Sequence, residues 1–140
     1  MSFLEKSDWL MACLLSLAVA GYFSSVFQLS SESGVLVAPS MPGLIAAAVG
    51  LTVLSIIGHI VLVAINHKDA NSTPDEREIK VNQQASSVSG HVLSVSVVLS
   101  LLLFLTTSNG NLLFYCVFGG FLVSELAAYI MRIYYSRTVF

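Results

Sequence analysis

The sequence has few charged residues: Asp, Glu, Lys and Arg make up 10% of its 140 residues, whereas 56% are hydrophobic. A soluble domain of ordinary composition has about 25% charged residues. The deficit excludes a soluble globular protein and leaves no room for a second, soluble domain. The net charge of −2 also gives no basic surface for nucleic acid.

The hydrophobic residues fall into four segments that are each long enough to cross a bilayer. A helix needs about 20 apolar residues to span about 30 Å of hydrocarbon. The four segments are approximately residues 8–27, 42–66, 85–107 and 112–132. We therefore expect an all-α integral membrane four-helix bundle that forms a single domain over residues 1–140.

Lys and Arg are absent from two of the connections between these segments, residues 28–41 and 108–111. Short cytoplasmic loops retain basic residues and translocated loops do not. All six basic residues lie on the other side, at Lys6, Lys68, Arg77, Lys80, Arg132 and Arg137. The pattern predicts a multi-pass inner-membrane protein with both termini in the cytoplasm.

Sequence motifs of enzymes are also missing. The chain has no Gly-rich phosphate loop, no nucleophile elbow and no closely spaced metal ligands. Its two cysteines, Cys13 and Cys116, lie at opposite depths in this topology, too far apart for a disulfide. We expect a protein that is not an enzyme and that binds no cofactor.

One connection carries a strong helix-start signal just before the third segment. Thr73 can cap the helix, Pro74 suits the first position, and Glu76 completes a capping box. Glu76 and Lys80 are spaced for an ion pair on one helix face. We expect a polar cytoplasmic helix that continues unbroken into the third span.

The same residues carry a resemblance. The motif Asp75-Glu76-Arg77-Glu78, followed by Lys80, resembles that of small four-span prokaryotic membrane proteins of uncharacterised function. The Ser-rich stretch 86–91 departs from that pattern, which usually has bulkier residues. The resemblance implies a bacterial or archaeal accessory or regulatory protein, and it supplies no catalytic residues.

Three ionisable residues lie inside the predicted spans: His59, His91 and Glu125. Counting from the ends of the spans puts all three about 10 Å from the cytoplasmic boundary, so we expect them to be close together. An intramembrane ionisable group is costly unless it is satisfied. The cluster could carry a proton or an ion, but interhelical hydrogen bonding, with Arg132 near Glu125, explains it more simply. A metal site is less favoured, because the three come from three different helices.

Small residues at four-residue spacing recur in three of the segments and predict close helix packing. They begin at Gly43, at Ser86 and at Gly120. Such residues serve packing within one chain or between chains, so we expect the partners to be the bilayer and a second copy or another membrane protein. The sequence favours an accessory or regulatory protein, with a small oligomeric transporter or channel as the alternative.

Overall fold

The computed structural model describes residues 3–66 and 75–138, which form four α-helices and contain no strand. The helices are α1 (Phe3–Ser33), α2 (Met41–Ile65), α3 (Glu76–Thr107) and α4 (Gly110–Thr138). All four are long and apolar enough to span a membrane. The all-α class with four such helices is therefore confirmed.

Helices α1, α3 and α4 are longer than a bilayer requires. They contain 31, 32 and 29 residues, which corresponds to about 44–48 Å at 1.5 Å per residue. The hydrocarbon core is only about 30 Å thick. Each of these helices must therefore extend beyond the hydrocarbon.

The two ends of the molecule differ. We call the end at which α1 and α3 begin and α2 and α4 end the charged end, and the other the loop end. At the loop end, Ser108 in the left-handed region (φ 52°) closes α3. The side chain of Asn109 then accepts hydrogen bonds from the N–H groups of Asn111 and Leu112, which starts α4. The resulting short turn makes α3 and α4 antiparallel neighbours.

The start of α3 corrects one prediction. Its N-cap is Asp75, whose carboxylate accepts from the N–H of Glu76 at 2.7 Å. Glu78 accepts from the N–H of Asp75 at 3.2 Å and completes the capping box. The capping box therefore exists but starts two residues later than predicted. Two residue pairs in this segment, Thr73 with Glu76 and Asp75 with Glu78, have the spacing of a capping box, and the structure uses the second pair. Thr73 and Pro74 lie outside the described residues.

The helices pack in the order α2–α1–α4–α3, and the backbones of α2 and α3 do not touch in the part that the structure describes. The arrangement is thus an open row, with α2 and α3 at its two ends. Each contact has a glycine: Gly58 of α2 faces Leu10, Gly119 of α4 faces Phe23, and Gly120 of α4 faces Ser96. A Cβ on Gly120 would lie 2.6 Å from that of Ser96. Because glycine has no side chain, Gly119 and Gly120 allow α4 to approach its two neighbours closely.

Candidate functional site at the charged end

Two ion pairs join α1 to α4 at the charged end. Arg132 Nη1 lies 3.1 Å from Asp8 Oδ1, and Arg137 Nε lies 2.6 Å from Glu5 Oε1. Glu5 and Asp8 are three residues apart and share one face of α1. Because α4 runs antiparallel to α1, its two arginines meet the two acids in reverse order. These contacts fix the depth of α1 relative to α4.

Arg132 is the more enclosed of the two arginines. Its side chain is 26% exposed and that of Asp8 is 14% exposed, whereas Arg137 is 52% exposed. The Arg132 guanidinium also lies over the ring of Tyr129, 4.6 Å from its centroid. Its Nε is buried and has no hydrogen-bond partner among residues 3–66 and 75–138. Arg132 therefore depends on Asp8, because a buried cation without its partner is strongly unfavourable.

A groove of about 690 Å³ opens beside these pairs, between α1, α3 and α4. Its walls carry both signs of charge and also include apolar side chains, among them Leu4, Ile79 and Val81. The polar ones include Asp8, Glu78, Asn82, Arg132 and Ser136. A site of this kind can hold a polar segment or headgroup at the membrane surface.

The predicted motif 75–80 divides between two roles. Arg77 donates a 2.6 Å hydrogen bond to the backbone oxygen of Ser136, which ties α3 to the end of α4. Asp75 and Glu78 cap α3 and line the groove. Glu76 and Lys80 are exposed and form neither of the two ion pairs of the described residues. The ion pair expected between them is therefore not formed.

His59 joins α2 to α1. Its Nε2 lies 2.8 Å from Ser7 Oγ and its Nδ1 lies 2.8 Å from the backbone oxygen of Ser55. A carbonyl only accepts, so Nδ1 carries the proton and Nε2 of the neutral ring accepts from Ser7. Lys6 also donates to Asn66, the residue that ends α2. His59 is thus a satisfied link between two helices.

His91 and Glu125 lie at the same depth but on different surfaces. His91 is five residues before Ser96 and Glu125 is five residues after Gly120, and Ser96 and Gly120 touch. His91 is exposed, with Nδ1 2.6 Å from the backbone oxygen of Ser87. Glu125 is half-buried on α4 and makes no hydrogen bond or ion pair in the described chain. The expected pairing of Glu125 with Arg132 does not occur, because Asp8 takes that arginine.

The structure therefore does not bring His59, His91 and Glu125 together. Helix α2 contacts neither α3 nor α4, and His59 bonds Ser7, next to the Asp8 that pairs with Arg132. His59 is thus level with Arg132 and about 10 Å from the depth of Glu125, seven residues away along α4. The prediction that the three residues share one depth was wrong because it counted residues from Asn66 in α2 and from Arg132 in α4, and these two residues do not lie at the same depth. No group of three potential metal ligands occurs within residues 3–66 and 75–138.

The ion pairs at the charged end escaped the sequence analysis. Glu5 and Asp8 are three residues apart near the start of α1, and Arg132 and Arg137 are five apart near the end of α4. If α1 and α4 are antiparallel neighbours, this spacing indicates that the two acids pair with the two arginines. The sequence does not say that α1 and α4 are neighbours, so the signal becomes useful only when the packing order is known.

A second, apolar groove of about 460 Å³ separates α1 from α2 toward the loop end. Gly21 and Gly50 line it, and a Cβ on either would meet nothing within 4 Å. Tyr115 bounds the groove and donates a 3.0 Å hydrogen bond to the backbone oxygen of Val37. Helices α1 and α2 are thus in contact near the charged end and apart near the loop end.

The comparisons with known proteins identify a family but no activity. A family model described as "Predicted membrane protein (DUF2178)" matches residues 9–139. No curated protein and no solved structure matches the chain.

Proposed function

Because the chain belongs to the DUF2178 family of predicted membrane proteins, we propose that it is a non-enzymatic accessory or regulatory protein of the prokaryotic inner membrane. The charged end lies in the cytoplasm in this proposal. Its groove receives a polar segment of another membrane-associated protein. The bilayer and that protein are the partners.

The observation that carries the proposal is the groove between α1, α3 and α4. It presents charged and amide side chains beside apolar ones, at the ends of three helices that exceed the thickness of the hydrocarbon. A surface outside the hydrocarbon is where a cytoplasmic segment can dock. The ion pairs of Asp8 and Glu5 hold two of its walls in place.

The orientation rests on the distribution of basic residues. All six belong to the charged end or to the connection between α2 and α3, and none lies in residues 28–41 or 108–111. Cysteine substitutions at Ser31 and Thr138, which are both exposed, test this in a background without Cys13 and Cys116. An impermeant maleimide added to intact cells should label only position 31. Labelling of position 138 from outside contradicts the orientation.

The partner is tested by filling the groove. Asn82 is exposed and lines it, whereas Gln28 is an exposed amide residue of α1 near the loop end. Tagged wild type should copurify a protein from its native membranes, Asn82→Trp should lose that protein, and Gln28→Trp should retain it. Equal retention by both variants, or no protein with the wild type, overturns the proposal.

A small transporter or channel is the second candidate. It is favoured by the intramembrane carboxyl of Glu125, because ionisable residues at that depth commonly mark ion pathways. Glu125 and His91 are also level. A pH-dependent flux in proteoliposomes that Glu125→Gln abolishes would support this candidate over the first.

A further inference from the structure

We propose that two copies of this chain pair in parallel through the surface of α3 that faces away from α4. We call the following exposed residues of that surface, which run from the start of α3 to Val98, the outer face of α3: Glu76, Lys80, Ser87, His91, Ser94 and Val98. The proposal is independent of the proposed function. It requires only that all copies cross the membrane in the same direction.

The position of this face follows from the packing of α3. Ser96 meets Gly120 of α4, and Val81, Ala85 and Ser100 are the buried residues of α3. At 100° per residue, the six residues of the outer face lie about half a turn from that contact. All six are exposed. Because α3 is at one end of the row of helices, nothing in the described chain covers them.

The face is polar where an apolar surface is expected. Ser87, His91 and Ser94 lie in the third span, where a polar side chain normally faces protein or water. The hydroxyl of Ser94 is satisfied within its own helix, because it donates to the backbone oxygen of Gly90 at 2.8 Å. The ring of His91 is satisfied at only one of its two nitrogens. Its Nδ1 pairs with the oxygen of Ser87, and its Nε2 has no hydrogen-bond partner in the described residues.

The unsatisfied groups of the face complement each other. The Nδ1 of His91 must donate to a carbonyl, which leaves Nε2 as an acceptor. The hydroxyl of Ser87 makes no hydrogen bond in residues 3–66 and 75–138 and is a donor. In a parallel pair of helices, a residue lies beside those three or four positions away on the second helix. Ser87 of each copy therefore meets the second copy's His91, and the two-fold axis makes the bond twice.

The charged residues of the outer face are also complementary between two parallel copies. Glu76 and Lys80 lie on the outer face four residues apart and have no partner of opposite charge within the described chain. In the parallel pair, Lys80 of one copy lies beside Glu76 of the other. An antiparallel pair would place these charges beside the loop end of the second helix, where α3 has no acid or base.

Close approach is also possible on this side of α3. A Cβ on Gly90 would meet nothing within 4 Å, whereas one on Gly120 would meet Ser96. The small residues of α4 are therefore used within the chain, and Gly90 is available for contact between chains. Ser87 and His91, and likewise Glu76 and Lys80, are each other's complements between two copies of the same face. That self-complementarity is what a two-fold interface requires, and it selects a second copy as the occupant.

Crosslinking in native membranes tests the proposal with a matched control. In a background without native cysteines, Ser94→Cys should form a disulfide-linked dimer on mild oxidation. Thr52→Cys should stay monomeric. Thr52 is an exposed hydroxyl residue of α2, and it lies three residues before Ser55, which contacts Met11 of α1. That contact places Thr52 near the depth of His91. Equal crosslinking of the two positions, absence of both dimers, or a Ser94→Cys product of another mass overturns the proposal.

Two further variants connect the dimer to the named contacts. His91→Leu removes the acceptor and should raise the dimer dissociation constant about tenfold, as the loss of two interhelical hydrogen bonds predicts. Glu76→Lys should also weaken the dimer, and the double variant Glu76→Lys, Lys80→Glu should restore it. A dimer that neither His91→Leu nor Glu76→Lys weakens does not use this face and contradicts the proposal.

Discussion

Helices α2 and α4 are both apolar and long enough to cross a membrane, yet α4 packs on two neighbours and α2 on one. Four residues of α4 are buried and none of α2. The less buried helix is nevertheless the more apolar one: the mean hydropathy of the most apolar segment is 2.5 in α2 and 1.7 in α4. In a bilayer, lipid solvates apolar side chains as well as protein does, so small residues and polar contacts decide which helix is central.

The strongest polar contact of α4 gives the largest expected effect. Arg132→Leu leaves Asp8, which is only 14% exposed, without its cation. The free energy of unfolding should fall by about 3 kcal/mol, the lower end of the range for breaking a buried ion pair. Arg137→Leu is the comparison: Arg137 is 52% exposed, and Glu5, although only 10% exposed, has a further interaction within the chain. It should cost about 1 kcal/mol or less. Equal losses in thermal unfolding of the two variants would show that burial does not distinguish the pairs.

Glycine substitutions compare the two helices directly. Gly120→Ala in α4 puts a Cβ within 2.6 Å of Ser96, so α3 and α4 must separate at a cost of about 2 kcal/mol. Gly50→Ala in α2 meets nothing within 4 Å, and it should be neutral or stabilising because alanine favours a helix. Unfolding midpoints in one detergent measure both. A loss of stability at position 50 as large as at 120 would remove the distinction between the helices.

The start of α3 gives a smaller effect. Asp75→Ala removes the cap, at a cost of about 1 kcal/mol, and hydrogen exchange of residues 76–80 should rise while the chain remains membrane-inserted. Lys80→Ala, at an exposed position on the same helix, serves as the control. Unchanged protection in Asp75→Ala would mean that the capping box does not hold this turn.

Glu125 gives the smallest expected effect. It makes no hydrogen bond or ion pair in the described chain, so neither Glu125→Gln nor Glu125→Leu leaves a partner unsatisfied. Both should unfold within about 0.5 kcal/mol of wild type. A large loss of stability in Glu125→Leu alone would reveal a partner for the carboxyl. For comparison, His59→Leu in α2 should cost about 1 kcal/mol, because the hydrogen bond to Ser7 is lost.

The sequence predicts the helices well and their arrangement poorly, for a physical reason. Hydropathy and turn residues are local, so four helices and the turn at Asn109 can be predicted. The small-residue stripes that begin at Gly43, Ser86 and Gly120 are chemically alike, and only the last is packed against another helix throughout. Ser124 and Ala128, which follow Gly120 at four-residue intervals, are both buried.

The candidate site shows the same limit. Asp75 and Glu78 could be recognised as helix-capping residues from their spacing, although Thr73 and Glu76 have it too. The pairing of Asp8 with Arg132 joins residues 124 positions apart, and the spacing of the acids and arginines indicates it only once α1 and α4 are known to be neighbours. The predicted depth of His59 was wrong because it was counted from Asn66, which is not level with Arg132.

The central claim is the open order α2–α1–α4–α3, which one distance measurement tests directly. Spin labels are placed at Thr52 of α2 and Val95 of α3, which are both exposed. Pulsed electron–electron double resonance then gives the distance between the two labels, with labelled protein diluted into unlabelled protein so that only pairs within one chain are measured. Neighbouring helix axes lie about 8–10 Å apart, so a row that keeps α2 and α3 apart predicts a distance above about 20 Å. A distance of about 10 Å, as for neighbours in a closed bundle, would contradict it.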